Sequence, residues 1–335
     1  MSAEQNSQRI VLAGASSLLG AELKSLLDES RFAGWDLRLV DEDLAVGTLT
    51  AAAGEPAVIQ RVEEGTFEKA RFIFFTGSSD FTLENFEMAQ RSGAVIVDLS
   101  GLSISFVKTF AWYPGVEKLT GQVLPEKPHL LAIPSAAAEA VVRLSLALRD
   151  LGLKNLSGTV LHPISAAGKS GIEELETQTT QLLSFQPLGK QLFDAQVAFN
   201  VLDRFGPTSR FRLNEAQNTL LNEVSGCLRG NAVFPAVHLI HAPVFYGATF
   251  SMCAQLGSSA DADSIADACQ QSGFAILDEW GIGPNNLSAV GESVIQLAKP
   301  QAAWLQQGSW WFWGAADNIR LPAANAVKLA ETLDS

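Results

Sequence analysis

The chain has 335 residues, 47% of them hydrophobic, and a formal net charge of -13. So long a chain with so much apolar material is expected to build two cores rather than one. The acidity argues against a nucleic-acid backbone as partner, which demands clustered Lys and Arg, and no segment approaches the roughly 20 consecutive apolar residues of a membrane helix.

Met1 to Arg9 is polar and has no basic start followed by an apolar run, so no secretory signal is visible and a cytoplasmic protein is expected. Cys227, Cys253 and Cys269 are odd in number and widely spaced, which suits reduced thiols. The four histidines show no metal-ligand spacing, so no metal is expected.

The first element is the apolar run at Arg9-Ile-Val-Leu-Ala, a buried strand, followed by small residues and then by Leu23, Leu26 and Leu27 at helical spacing. Strand, turn and helix meet between Gly14 and Gly20. Small residues there let the backbone approach a pyrophosphate, whose charge is met by free N–H groups and the dipole at the helix start. Ser17 stands where a middle glycine is expected, so a tight turn without a ligand competes evenly with a binding turn. Further strands follow at Asp36-Leu-Arg-Leu-Val, Ala70-Arg-Phe-Ile-Phe-Phe-Thr and Gly93-Ala-Val-Ile-Val-Asp-Leu-Ser, with a helical pattern from Leu83 to Gln90. Apolar strands alternating with helices predict a doubly wound parallel sheet of Rossmann type.

Beyond residue 145 the pattern changes. Leu156 to Ile164 and Val233 to Thr249 read as strands of a second sheet, separated by a helix from Gly171 to Leu183 and a polar stretch from Asn200 to Glu223. Trp304 to Gly314 reads as a late strand and Leu321 to Leu333 as a terminal amphipathic helix, giving an α+β second domain.

Two segments, Ser165-Ala-Ala-Gly-Lys-Ser-Gly-Ile-Glu-Glu-Leu and Ala316-Asp-Asn-Ile-Arg-Leu-Pro-Ala-Ala-Asn-Ala-Val, resemble the aspartate-semialdehyde dehydrogenase family and, within it, the non-catalytic USG-1-like homologs. Gly14-Ala-Ser-Ser-Leu-Leu-Gly, Val97-Asp-Leu-Ser, Val123-Leu-Pro-Glu and Asn222-Glu-Val add to the likeness in the family's order, from about residue 9 to the C-terminus. The resemblance implies an NAD(P)-binding Rossmann-type domain over residues 1–133 plus about 317–335, the C-terminal helix returning to it. A dimerisation and substrate domain over 134–316, a homodimer and a link to amino-acid biosynthesis are implied as well. It marks Gly14, Ser16, Ser17, Leu18, Leu19, Gly20, Asp41, Thr76, Gly77, Ser100, Ser165, Gly168 and Asn318 as cofactor positions.

The family's reaction needs a cysteine nucleophile that forms a thioester. Its position, after an Asn-Pro-Asn-like turn that here reads Ala132-Ile-Pro-Ser-Ala-Ala, falls on Ala136. Adjacent Ser135 could attack in principle, but the local sequence supplies no base. The acid/base histidine, from His241-Ala-Pro-Val-Phe-Tyr-Gly-Ala, maps to Ala248, and the substrate-carboxylate arginine to His241. A glutamine near the nucleophile maps to His162, the phosphate-gripping arginine near Ile104, and a lysine around Leu220. The resemblance thus implies a homolog without that activity.

Two other readings stay open. His162 and His241 form an acid/base pair for hydride transfer on another aldehyde or oxo group, or they are ordinary buried histidines and the fold is kept for its surfaces. Cys227 and Cys253 read as packing residues, and Trp310-Trp-Phe-Trp as a buried strand or an interface patch. If a dinucleotide binds, whether NAD or NADP, Asp41 and Glu42 favour NAD, since a carboxylate accepts from the ribose hydroxyls and repels an extra phosphate. The rival is a solvated loop from Asp41 to Asp43 and a fold that binds neither.

Overall fold

The computed structural model describes residues 8–42, 45–52, 55–106, 108–257, 260–277, 281–304 and 306–335. Asp43 of the acidic loop lies outside them. The chain divides into two compact units, one of residues up to Pro114 with Gln122–Pro134 and Pro322–Ser335, the other of Gly115–Gly121 with Ser135–Leu321.

The first unit begins with β1 (Arg9–Ala13), α1 (Leu18–Asp28) and β2 (Asp36–Asp41). Then come the hairpin β3 (Leu49–Ala52) and β4 (Glu55–Val58), the short β5 (Gln60–Arg61), β6 (Phe72–Phe75), α2 (Ser79–Arg91), β7 (Val95–Asp98) and β8 (Phe110–Ala111). After α3 (Val116–Thr120), which belongs to the second unit, the first resumes at β9 (Leu130–Ala132). Its main sheet runs β5-β2-β1-β6-β7-β9-β8 with every pair parallel. Parallel strands are buried on both faces, and accordingly Val11, Leu12, Ala13 and all of Phe72 to Phe75 have no exposed surface. The predicted helix at Leu83 to Gln90 is longer at both ends, because Ser78 caps it by accepting from the Phe81 amide.

The second unit holds α4 (Ala136–Arg149), β10 (Leu153–His162), α5 (Gly168–Leu183), α6 (Leu213–Leu228), β11 (Ala236–His241), β12 (Ala248–Leu256) and α7 (Ala262–Gln271). It continues with β13 (Phe274–Leu277), α8 (Asn286–Ala289), β14 (Ile295–Ala298), β15 (Gln301–Ala302) and β16 (Ser309–Ala316). The terminal helix α9 (Arg320–Leu333) carries the chain back to the first unit. There Arg31 pairs with Asp334 at 2.9 Å, and Arg71 Nη2 donates to the Leu333 carbonyl at 3.0 Å. The second sheet is mixed, in the order β11-β10-β12-β16-β14-β13 with β15 on β16. β10/β11 and β13/β14 are parallel, the other pairs antiparallel.

Three expectations for this unit change. The run from Val233 to Thr249 contains β11 and the first residues of β12, which flank β10 on opposite sides, so a turn that includes Gly247 interrupts it. The polar stretch from Asn200 to Glu223 ends inside α6, whose Leu213, Leu220, Val224, Cys227 and Leu228 form a buried stripe hidden in sequence by the Asn, Gln and Glu of its other face. Trp304 is 88% exposed and the late strand starts at Ser309. Helix α4, with every residue from Ala138 to Leu148 buried, is apolar or small on every side apart from the Glu139–Arg143 pair and so presents no solvent-facing polar stripe to read.

Candidate functional site

In the first unit the order β2-β1-β6 reverses direction across β1, the point at which open α/β sheets form a crevice at the carboxyl ends of their strands. The Gly14 turn closes this end of β1. Gly14 has φ +93°, and a Cβ there would lie 2.1 Å from the Gly77 amide nitrogen, while one at Gly20 would lie 2.3 Å from the Gly14 carbonyl. Thr76 Oγ1 donates into the same knot, 3.0 Å from the Gly14 carbonyl. The small residues therefore serve the approach of one strand-to-helix loop to another, a packing role that stands whether or not a ligand is present.

The turn also satisfies itself. Ser17 caps α1, its Oγ accepting from the Gly20 amide at 2.8 Å and donating to the Thr76 carbonyl at 2.9 Å. The Ser16 amide donates to Asp41 Oδ2 at 2.5 Å, the Glu42 amide to Asp41 Oδ1 at 2.8 Å, and the Ser17 amide to the Gly14 carbonyl at 3.1 Å. Of the donors from Ser16 to Gly20, the amides of Leu18 and Leu19 open the helix. Asp41 is 6% exposed and each of its oxygens already accepts a backbone N–H. Beside it lies a cleft of about 600 Å³ lined among others by Asp41, Glu42, Arg61, Ser78, Asp80 and Glu84, four carboxylates to one guanidinium. Ser78 Oγ donates to Glu42 Oε1 at 2.8 Å, which holds that carboxylate on the wall. Further along the sheet, Ser100 is bound by buried Asp98, whose Oδ1 accepts from the Ser100 amide at 2.8 Å and hydroxyl at 2.6 Å.

In the second unit Ala136 opens α4 and is 1% exposed, and Ala248 opens β12 at 4%. Ile104, in the first unit, and Leu220, in the second, are core residues at 3% and 4%. None of these four side chains carries a donor, an acceptor or a charge. Ser135, the cap of α4, donates its hydroxyl to Glu223 Oε2. Nearby on α4, buried Glu139 pairs with buried Arg143 at 2.6 Å, and Arg143 Nη1 donates to the Ser272 carbonyl at 2.5 Å. The four-residue spacing of Glu139 and Arg143 is a helical ion-pair signal the sequence offers, whereas nothing near Ser135 in sequence marks Glu223, 88 residues away, as its partner.

His162 and His241 are Cα partners at the ends of parallel strands β10 and β11. Paired residues of neighbouring strands share a face, so the register places the two histidines side by side. His241 Nε2 lies 3.2 Å from the Val197 carbonyl, and since a carbonyl has no proton to give, Nε2 carries one. His162 Nε2 is buried without a hydrogen-bond partner among the described residues. Burial, with a smaller contribution from His241, pulls the His162 pKa down to about 4, and burial lowers that of His241. Both rings are neutral near pH 7.

Ser165, Gly168 and Asn318 divide. The Asn318 amide nitrogen donates to Ser165 Oγ at 3.0 Å, and its Oδ1 accepts from the Gly247 amide at 3.0 Å, so these loops are stitched together. Gly168, at the start of α5, has φ +72° and open space where a Cβ would stand. All three cysteines are free. Burial raises the pKa of each thiol, that of Cys269 to about 12, and Glu223 and Glu139 add to the rise at Cys227. Among the described residues no group of His, Cys, Asp and Glu could hold a metal ion.

A doubly wound parallel sheet in one unit and a mixed sheet in the other make this a two-unit α/β protein with a Rossmann-type sheet. Residues 146–321 match the family described as semialdehyde dehydrogenase, dimerisation domain, and the chain belongs to the semialdehyde dehydrogenase family. A USG-1 protein homolog of Azotobacter vinelandii is 29% identical over 331 residues, 97% of each chain. Aspartate-semialdehyde dehydrogenase 2 of Vibrio cholerae is 22% identical over 333 residues, again 97% of each. The structure of a probable aspartate-semialdehyde dehydrogenase from Pseudomonas aeruginosa superposes with a TM-score of 0.87 at 26% identity over 98% of both chains. A Candida albicans aspartate semialdehyde dehydrogenase solved with NADP shares the fold at a TM-score of 0.67 and 13% identity.

Proposed function

We propose that this chain is a dehydrogenase-fold homolog that does not carry out the thioester chemistry of aspartate-semialdehyde dehydrogenases. The observation that carries the reading is the state of sulfur in the chain. The position assigned to the nucleophile is the methyl of Ala136, and all three thiols sit where burial favours the protonated, unreactive form. Ala248, Ile104 and Leu220 leave no proton carrier, phosphate-gripping arginine or lysine at the positions assigned to them. The test is intact-mass trapping with aspartate semialdehyde, phosphate and nucleotide: no cysteine-linked acyl adduct is expected, and one would overturn the reading.

The nucleotide-binding function is carried, in this reading, by the crevice of the first unit, with 1–133 and about 317–335 as the NAD(P)-type domain. The acidic lining beside Asp41 and Glu42 favours the adenosine diol of NAD and repels the added phosphate of NADP. Thermal stabilisation growing with NAD, and weaker with NADP at equal concentration, is the expected result.

Residues 134–316 serve, in the same reading, as the dimer-forming domain. Trp311 and Trp313 alternate with buried Phe312 and are 48% and 39% exposed, placing two indoles on the open face of the mixed sheet. Opposite them in register stand Cys253 and Ser251, and large aromatic surfaces of this kind are typical of interfaces. The rival reading, hydride transfer assisted by His162 and His241, lacks a charged proton donor near pH 7, because both rings are held neutral.

A further inference from the structure

One polar pair in the second unit has no part in that reading. Ser135 Oγ donates to Glu223 Oε2, and the Ser135 amide donates to the same oxygen at 3.3 Å. Glu223, on α6, is 4% exposed, with its carboxylate aimed out of its own helix at the entrance of α4. Ser135 is half-buried, so its hydroxyl is held from the inside by the carboxylate and still borders solvent. Its duty as a helix cap is slight: the Ala138 amide reaches Ser135 Oγ at 3.4 Å, against 2.8 Å for the corresponding bond at Ser17. A hydroxyl bonded to a fixed carboxylate beside first-turn amides is the arrangement of a nucleophile, its base and donors for an oxyanion.

We propose that Ser135 accepts acyl groups from activated carboxylic esters, with Glu223 as its base. Ser135 Oγ attacks the ester carbonyl carbon and forms the new C–O bond while its proton passes to Glu223 Oε2. The carbonyl π pair moves onto oxygen, which faces the amides of the first turn of α4. Collapse of this adduct breaks the bond to the leaving alcohol, which takes the proton from Glu223, and the acyl group stays on Ser135. Water, deprotonated by Glu223, then attacks the acyl-serine, releasing the carboxylic acid and restoring the hydroxyl. Overall, ester and water give acid and alcohol, with no oxidant or metal. The step is independent of nucleotide binding and of the absent thioester chemistry.

The test uses the full chain with 4-nitrophenyl acetate and, separately, a fluorophosphonate probe, followed by peptide mapping. The expected adduct is on Ser135. It disappears in Ser135→Asn, which keeps a side-chain oxygen to cap α4 and so preserves the fold. Glu223→Gln slows acylation by about tenfold or more and abolishes the acid limb of its pH profile, whereas a merely structural bond would leave that profile unchanged. Should Glu223→Gln unfold, Glu223→Asp replaces it, since drawing the carboxylate back by one methylene also slows acylation. No adduct on Ser135 in the folded wild type, an adduct that survives Ser135→Asn, or a rate and profile indifferent to the folded Glu223 variant would each overturn the proposal.

Discussion

Helices α1 and α4 both begin with a serine whose hydroxyl accepts from the third amide beyond it, one in each unit. At α1 the Ser17 proton goes to the Thr76 main-chain carbonyl, which cannot take it away, and the turn is closed by glycine packed against glycine. At α4 the Ser135 proton goes to the Glu223 carboxylate, and the next residue is an alanine whose methyl is buried. The same cap is thus structural in one place and bound to a proton acceptor in the other. The chemistry of a helix entrance depends on what the cap donates to and on the side chain that follows it.

The most damaging way to break this comparison is at the first entrance. Gly14→Val places a Cβ 2.1 Å from the Gly77 nitrogen at a φ of +93°, where a β-branched residue is strained, and should destabilise the fold by about 3 kcal/mol or more in urea unfolding. An effect below about 1 kcal/mol would show that the two loops do not pack as described.

His162 gives the next largest effect. The unfolded chain takes up its proton near pH 6.5 and the folded chain only near pH 4, so the stability due to the neutral ring is complete above 6.5 and lost as pH falls towards 4. Allowing for partial exposure, the loss is on the order of 2 kcal/mol. His162→Gln should flatten the unfolding free energy across that window, and an unchanged slope would contradict the buried neutral ring.

Smaller effects separate the two caps. Ser17→Ala should cost about 1 kcal/mol, more than Ser135→Ala costs through capping alone, because the Ser17 bonds are shorter. The smallest change is Ala136→Cys, one added sulfur at a buried site, expected to shift stability by less than about 1 kcal/mol and to yield no turnover with aspartate semialdehyde, since Ala248 and Ile104, at the positions assigned to the proton carrier and the phosphate grip, still offer neither. Turnover in that single variant would mean the remaining machinery is intact.

The parallel sheet was legible because its strands are continuous apolar runs, Phe72 to Phe75 above all, and because the small residues at Gly14 mark a strand-to-helix turn. The pairing of His162 with His241 was legible only as two candidates, and β-register brought them together. What the linear sequence concealed was where polar groups spend their bonds: Asp41, expected to await a ribose, already accepts the Ser16 and Glu42 amides. Ser135 had no acceptor within its own segment, and α6, hidden among polar residues, supplied a carboxylate hydrogen-bond partner from 88 residues away. Helix α4 was missed for the opposite reason, since burial on all sides removes the periodicity that reveals a helix.

The most direct test of the central claim is steady-state reduction of NAD and of NADP by the purified full chain supplied with aspartate semialdehyde and phosphate. The account predicts no nucleotide reduction above the rate without protein. Turnover that is abolished by alkylating a cysteine of this chain would contradict it.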